Sequence, residues 1–168
     1  MKKLYTNLVA LLFVATSIQA AEKSPVRIEL HSYQQIMLKD KQGKLKKDKE
    51  GHVIKKWVPV KRVVPNTVVK YVDTIINDSN ETLTDVKVKN RINPNLAFIA
   101  DSAASKAEFS VKYSVDGGRH FDLPENLYVV ENKRKRLAKP SEYNAILFVV
   151  NKVPAHTNVD VSYKTILK

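Results

Sequence analysis

The sequence predicts an all-β protein built as an antiparallel sandwich, and three observations carry that prediction. Short segments alternate apolar and polar residues with period two, as strands with one face in a core do. Turn-forming residues punctuate them at close spacing. No stretch after the first twenty residues shows the i, i+3, i+4, i+7 stripe of an amphipathic helix. Eight or nine strands are expected.

The chain opens with a segment of another kind. Lys2 and Lys3 precede an apolar stretch, Leu8 to Ala15, and Ser17-Ile18-Gln19-Ala20 offers a small residue at a cleavage site. The stretch is well short of the roughly 20 residues that a spanning helix needs. Residues 1–20 therefore read as a cleaved signal peptide. The remainder, Ala21 to Lys168, suits one domain and has no further apolar span. The expected destination is the periplasm, with secretion or display at the cell surface as the alternatives.

Composition narrows the role. There is no cysteine, so neither a disulfide nor a lipoprotein thiol is available, and the core alone must hold the fold. Lys and Arg number 29 against 17 Asp and Glu, a formal net charge of +12. Such an excess attracts anionic surfaces over long range, and outside the cytoplasm these are lipid phosphates, acidic polysaccharides or extracellular nucleic acid. The same charge also serves simply to solubilise.

In chain order, Val26, Ile28 and Leu30 share a face of a first strand, and the chain continues extended through Ile36 and Leu38. Lys39 to His52 (KDKQGKLKKDKEGH) follows, six lysines among turn residues with Leu45 the one bulky apolar side chain. It reads as a solvated hairpin tip or a mobile loop. Without interleaved aromatics it is no base-stacking surface, so nucleic acid is not expected as a partner. Val53 to Val64 resumes strand character around Trp57, the single tryptophan, read as a packing anchor. Pro59 and Pro65 mark an edge or a bulge there.

The stretch from Val63 to Phe98 organises the rest. Val69, Tyr71 and Ile75 fall on one face of a strand, Val86 and Val88 on one face of the next, with NDSNET between them. This is a hairpin or a Greek-key element. After a turn at Pro94 and a small-residue loop, Phe109, Val111, Tyr113 and Val115 alternate into Asp116-Gly117-Gly118, which supplies the positive φ angles of a tight turn between two extended segments. Leu123 to Tyr143 is irregular and carries KRKR (Lys133, Arg134, Lys135, Arg136) in a surface excursion with at most one short strand, Leu127 to Val130. Ile146 to Val150 is a continuous apolar strand, consistent with burial on both faces. Val159, Val161, Tyr163, Thr165 and Leu167 alternate in a final strand.

Catalytic patterns are sparse. His31, His52, His120 and His156 are widely spaced, with no paired-ligand motif for a metal. Ser114, His120 and Asp122 could be drawn as a Ser-His-Asp relay, but no nucleophile elbow accompanies them. Asp101, Asp116 and Asp122 lack calcium-loop spacing and read as turn residues. Asn77 and Asn80 each begin a glycosylation sequon that reads as loop chemistry. The expectation is a protein that is not an enzyme and uses no cofactor or metal. The candidate anion-binding residues are Lys44, Lys46, Lys47 and Lys49 in one run and Lys133, Arg134, Lys135 and Arg136 in the other. A free strand edge is a third binding surface.

The central stretch resembles a bacterial conserved-repeat domain of unknown function, number 11 in that series of domains. The resemblance rests on Pro65-Asn66-Thr67, Val69-Lys70-Tyr71, Asn77, Val86-Lys87-Val88, Pro94, Leu96 and Phe98. The segment Tyr113 to Phe121 is similar to the Asp-Gly-Gly hairpin, here Asp116, Gly117 and Gly118, of short exported members. The resemblance covers about Val63 to Leu167. It implies an immunoglobulin-like Greek-key sandwich at 63–168, preceded by N-terminal strands with a lysine-rich hairpin tip at 21–62, the whole of 21–168 forming one unit. It further implies a cell-surface or periplasmic protein without known catalysis; the expected partner is a protein or envelope component, and the charge excess adds an anionic polysaccharide or lipid surface. Three departures stand out: Asn66 where glycine is usual, Asn90 where aspartate is common, and Asp73 where an inward apolar residue belongs. The turn at Pro154-Ala155-His156 also lacks its glycine. An inward Asp73 requires either a bulged strand or a partner.

Overall fold

Period-two segments become strands wherever β-branched and aromatic side chains alternate with polar ones. In the computed structural model, which describes residues 24–168, they are β1 (Val26–Met37), β2 (Lys55–Pro59), β3 (Val68–Asn77), β4 (Leu83–Arg91), β5 (Leu96–Phe98), β6 (Ala104–Ser105), β7 (Phe109–Ser114), β8 (Tyr128–Glu131), β9 (Arg134–Leu137), β10 (Ala145–Val153) and β11 (Thr157–Leu167). The segment read as a signal peptide, 1–20, lies outside the described residues.

All pairings are antiparallel. The larger sheet runs β2-β1-β3-β11-β5, with β6 also paired to β11, and the smaller runs β4-β10-β7. β8 and β9 form a separate hairpin. Two short 3-10 turns, Pro124–Asn126 and Pro140–Glu142, bracket that excursion. β3 and β4 lie in different sheets, so the NDSNET connection arches from one layer to the other and is not a hairpin.

The core fills the space between the layers. Val69, Ile75, Val161 and Tyr163 come from the larger sheet, and Val88, Tyr113, Ile146, Phe148 and Val150 from the smaller. Phe148, Ile75, Ile146 and Val150 are fully buried, and removing each from water contributes roughly 1.5–3 kcal/mol. A column of rings runs through this core: Tyr71 stacks on Tyr163 at 5.2 Å, Tyr113 on Tyr143 at 4.7 Å, and Phe98 lies against Tyr113, Tyr143 and Tyr163.

The N-terminal strands belong to this body, because β1 pairs with β3 over nine positions from Val26↔Asn77 to Gln34↔Val69. Ile28 and Leu30 point inward as their period requires, but the opposing sheet is only three strands wide. They stay 47% and 57% exposed. β10 is central in its sheet. One of its faces is buried, at Ile146, Phe148 and Val150, and the other is half-buried at Leu147 and Val149.

Two local expectations change. Asp116-Gly117-Gly118 turns with φ of 79° and 82° at its glycines, but no second strand follows. A single bridge, Tyr113↔Asp122, closes a wider loop because Asp116 draws the chain into its own hydrogen bonds. KRKR lies in and beside a strand, β9, whose alternation is hidden because both of its faces carry charge.

Candidate binding surfaces

The lysine-rich excursion between β1 and β2 is an ordered double turn. Lys39–Lys46 (KDKQGKLK) and Lys47–Ile54 (KDKEGHVI) are an eight-residue repeat, a signal that reading for strands alone passes over. In each copy an aspartate folds the backbone around its carboxylate. Asp40 Oδ1 accepts the Gln42 and Lys44 N–H groups at 2.9 Å, and Asp48 Oδ1 accepts those of Glu50 and His52 at 3.1 and 2.8 Å. Gly43 and Gly51 take φ of 81° and 86°, where a side chain would be strained. The repeats close on one another in a ring of backbone bonds: Lys46 N–H to Leu38 C=O, Ile54 N–H to Lys46 C=O, and Leu38 N–H to Ile54 C=O.

This ring displays cations. Residues 39–62 carry ten Lys and Arg against three Asp and Glu, more than half of the chain's net charge. Lys39, Lys41, Lys44, Lys46, Lys47 and Lys49 are exposed, as are Lys55, Lys56, Lys61 and Arg62. Among the described residues none of them forms an ion pair. Asp40 and Asp48 each turn one carboxylate oxygen to their own backbone and pair with no lysine.

The second run behaves differently. β8 and β9 are joined through Asn132 and Lys133, both at positive φ. Arg136 reaches inward, donating to Glu131 at 2.6 Å and gripping Glu142 through two nitrogens at 2.7 and 2.8 Å. With the Lys139 N–H also donating to it, the Glu142 carboxyl is lowered to about 2. Lys135 sits over the Tyr128 ring at 4.1 Å. Lys133 and Arg134 are exposed and outside these contacts, so Arg136 is a structural clamp and the free charge of this run is about half of what its letters suggest. Both runs leave the sandwich at one end. β1 finishes there beside the start of β3, and the 3-10 turn before β10 packs on β5. In the larger sheet, β1 and β5, which these two segments adjoin, are separated by β3 and β11.

The remaining candidates have structural duties. Ser114 Oγ donates to Asp116 Oδ1 at 2.7 Å, while His120 Nδ1 meets Asp116 Oδ2 at 2.6 Å. Asp116 lies between the hydroxyl and the imidazole, the Ser114 hydroxyl is fully buried, and Asp122 instead bonds Leu123 N–H and Asn126. The drawn relay does not form. These bonds, with the Ser114 hydroxyl first, hold the Asp116 carboxyl well below the usual carboxylate range. Among the described residues no three His, Asp or Glu are placed to hold a metal. Asn77 is fully buried, and its amide donates to the carbonyls of Glu81, Val153 and Pro154, tying the β3–β4 arch to the β10–β11 turn. Pro65, Tyr71 and Pro94 are likewise scaffold: a turn, a core ring, and a turn carbonyl accepting from Lys168.

One surface was not foreseen from sequence. Trp57 belongs neither to the core cluster nor to a ring pair, and so is not the anchor its type suggests. It lines a groove of about 680 Å³ on the outer face of the larger sheet, with Tyr33, His31, Lys70, Thr74 and Asp160. The segment 104–107 forms its other wall. The groove brings together β2, β1, β3 and β11, which only the sheet order makes neighbours.

Among the described residues no helix is long and apolar enough to cross a membrane. Compared with family models, curated proteins and solved structures, the chain gives no match.

Proposed function

We propose that this chain is an exported, non-catalytic binding module of the conserved-repeat, immunoglobulin-like kind, held to an anionic envelope surface by its lysine-rich end. The observation that carries the reading is the pair of repeated turns that present at least six exposed, unpaired lysines on a hydrogen-bonded ring. Charges so held lose little entropy on meeting a polyanion, and each Lys near an anionic surface contributes about 1 kcal/mol at moderate salt. The ligand is a lipid phosphate or an acidic polysaccharide. A non-catalytic role fits a Ser114 hydroxyl spent on Asp116.

Sedimentation with vesicles of anionic or neutral lipid, and retention on an acidic polysaccharide column, test it directly. Binding should appear with the anionic partner alone, fall steeply between 50 and 300 mM salt on the order expected from screening, and vanish when Lys44, Lys46 and Lys47 become Glu. Unchanged binding after that reversal would sink the reading, as would an uncleaved product confined to the cytosol. Arg136 is left out of the reversal because it would open the β8–β9 hairpin.

A second reading, a protein partner, is supported by the uncovered inward side chains of Ile28 and Leu30 on β1, the neighbour of β3, which meets β4, an edge strand of the smaller sheet, through Asp73 and Asn90. A strand added to β4 would cover both. Crosslinking in intact cells that depends on Ile28 and Leu30 would favour it over the charge-led reading.

A further inference from the structure

We infer that the groove on the outer face of the larger sheet is a binding site for a linear acidic polysaccharide, with Trp57 and Tyr33 as its ring platforms. The shape argues for an extended ligand. Trp57 pairs with Gln35 on β1, whereas Asp160 pairs with Thr74, which pairs with Glu29. The groove therefore runs obliquely across three strand spacings and six residues of strand rise, about 25 Å from corner to corner. A compact metabolite would fill a fraction of that length.

The chemistry narrows the class. The floor is the face of a sheet whose backbone groups are engaged in the ladder, so a ligand meets side chains only. This disfavours a peptide strand, which is recognised through free N–H and C=O groups at an edge. At the open edge, β2 carries Lys55, Lys56 and Pro59, which blunt strand addition. The floor is too polar for an acyl chain, with Lys70, Thr74 and Asp160 spaced along it. A sugar ring offers an apolar C–H face and a rim of hydroxyls. The indole of Trp57 and the phenol of Tyr33 suit the first, and His31, Thr74 and Asp160 the second.

Charge decides between neutral and acidic sugars. Asp160 keeps its charge while accepting the Thr74 hydroxyl at 2.6 Å, but Lys70 and Lys106 outnumber it among the charged residues lining the groove. Beyond Trp57, β2 leads through Lys56 and Lys55 back to the lysine-rich double turn. A chain of carboxylated sugars leaving the groove past Trp57 would continue onto that end. The anionic preference thus leans on the function proposed above, while the ring platforms do not.

The chain has one tryptophan, so its intrinsic indole fluorescence reports this groove alone. Titrating the chain as recovered from cells with a uronic acid hexasaccharide should shift and quench that emission to saturation. A neutral hexasaccharide should act at least tenfold more weakly, and a hexanucleotide of single-stranded DNA not at all. Tyr33→Ala and Thr74→Val, each checked for a native circular dichroism spectrum, should each weaken the response tenfold or more. No emission change with the acidic hexasaccharide overturns the inference, as does equal affinity in both variants or tighter binding of the nucleotide. Reversing Lys44, Lys46 and Lys47 separates the two claims: loss of vesicle binding with a saturable Trp57 response retained leaves this site standing by itself, and vesicle binding with a silent Trp57 removes this site only.

Discussion

At the scale of single residues, two polar positions of the central stretch account for one another. Asp73 is inward and almost wholly buried, and its partner across the layers is Asn90. The strand is not bulged; the carboxylate is satisfied. Burial nevertheless raises the Asp73 carboxyl above its usual value, with the Asn90 bond pulling the other way. Because the folded value lies above the unfolded one, the native state holds the proton more tightly, and stability is lost as pH rises through the folded value. Asp73→Asn, which keeps an acceptor for Asn90, should therefore raise the melting temperature at pH 7 by a few degrees. That gain should disappear below the unfolded value near 3.8, as thermal melts across pH will register. Asn66 takes φ of 67°, a region that asparagine tolerates better than other side chains. His156 does the same at 55°. Asn66→Gly should be near neutral and Asn66→Ala should cost about 1–2 kcal/mol in chemical denaturation.

At the scale of elements, the excursions are better built than their composition suggests. The double turn owes its order to Asp40 and Asp48. Replacing both by Ala should release the Leu38, Lys46 and Ile54 amides to rapid hydrogen exchange while leaving the protection of β10 unchanged. The β8–β9 hairpin owes its order to Arg136. The Glu142 carboxyl is depressed in the folded state, so its contribution is present above its ordinary value of 4.5 and is lost as pH falls toward about 2. Proteolysis at Asn132 and Lys133 by an acid-active protease should accelerate through that window, and Arg136→Ala should already be cut there faster than the parent chain at neutral pH by a neutral protease. Alternation marked most of the sandwich strands because it is a property of neighbours in the chain. It missed β9 because a solvated hairpin has no apolar face to alternate, and it missed the double turn because that element is held by Asx bonds and glycines, not by burial.

At the scale of the whole molecule, the two layers differ in width, and burial follows the narrower one. Phe148 and Leu30 are both inward by period, yet Phe148 is sealed and Leu30 is more than half exposed. Phe148→Ala should cost about 3–5 kcal/mol, whereas Leu30→Ser should stay within about 1 kcal/mol by urea denaturation. Charge is uneven on the same scale, with the lysine-rich end carrying exposed cations that form no ion pair among the described residues.

By itself, the order of residues determined which side chains face inward along most of the sandwich strands, the turns at Pro65, Pro94 and Gly117, and the excess of positive charge, since each depends on groups a few bonds apart. Tertiary structure alone decided that Asp73 meets Asn90, that Thr74 meets Asp160 and that Trp57 lines a groove instead of the core. Those outcomes depend on strand order and layer width, and nothing local in the chain encodes which strand will lie beside which.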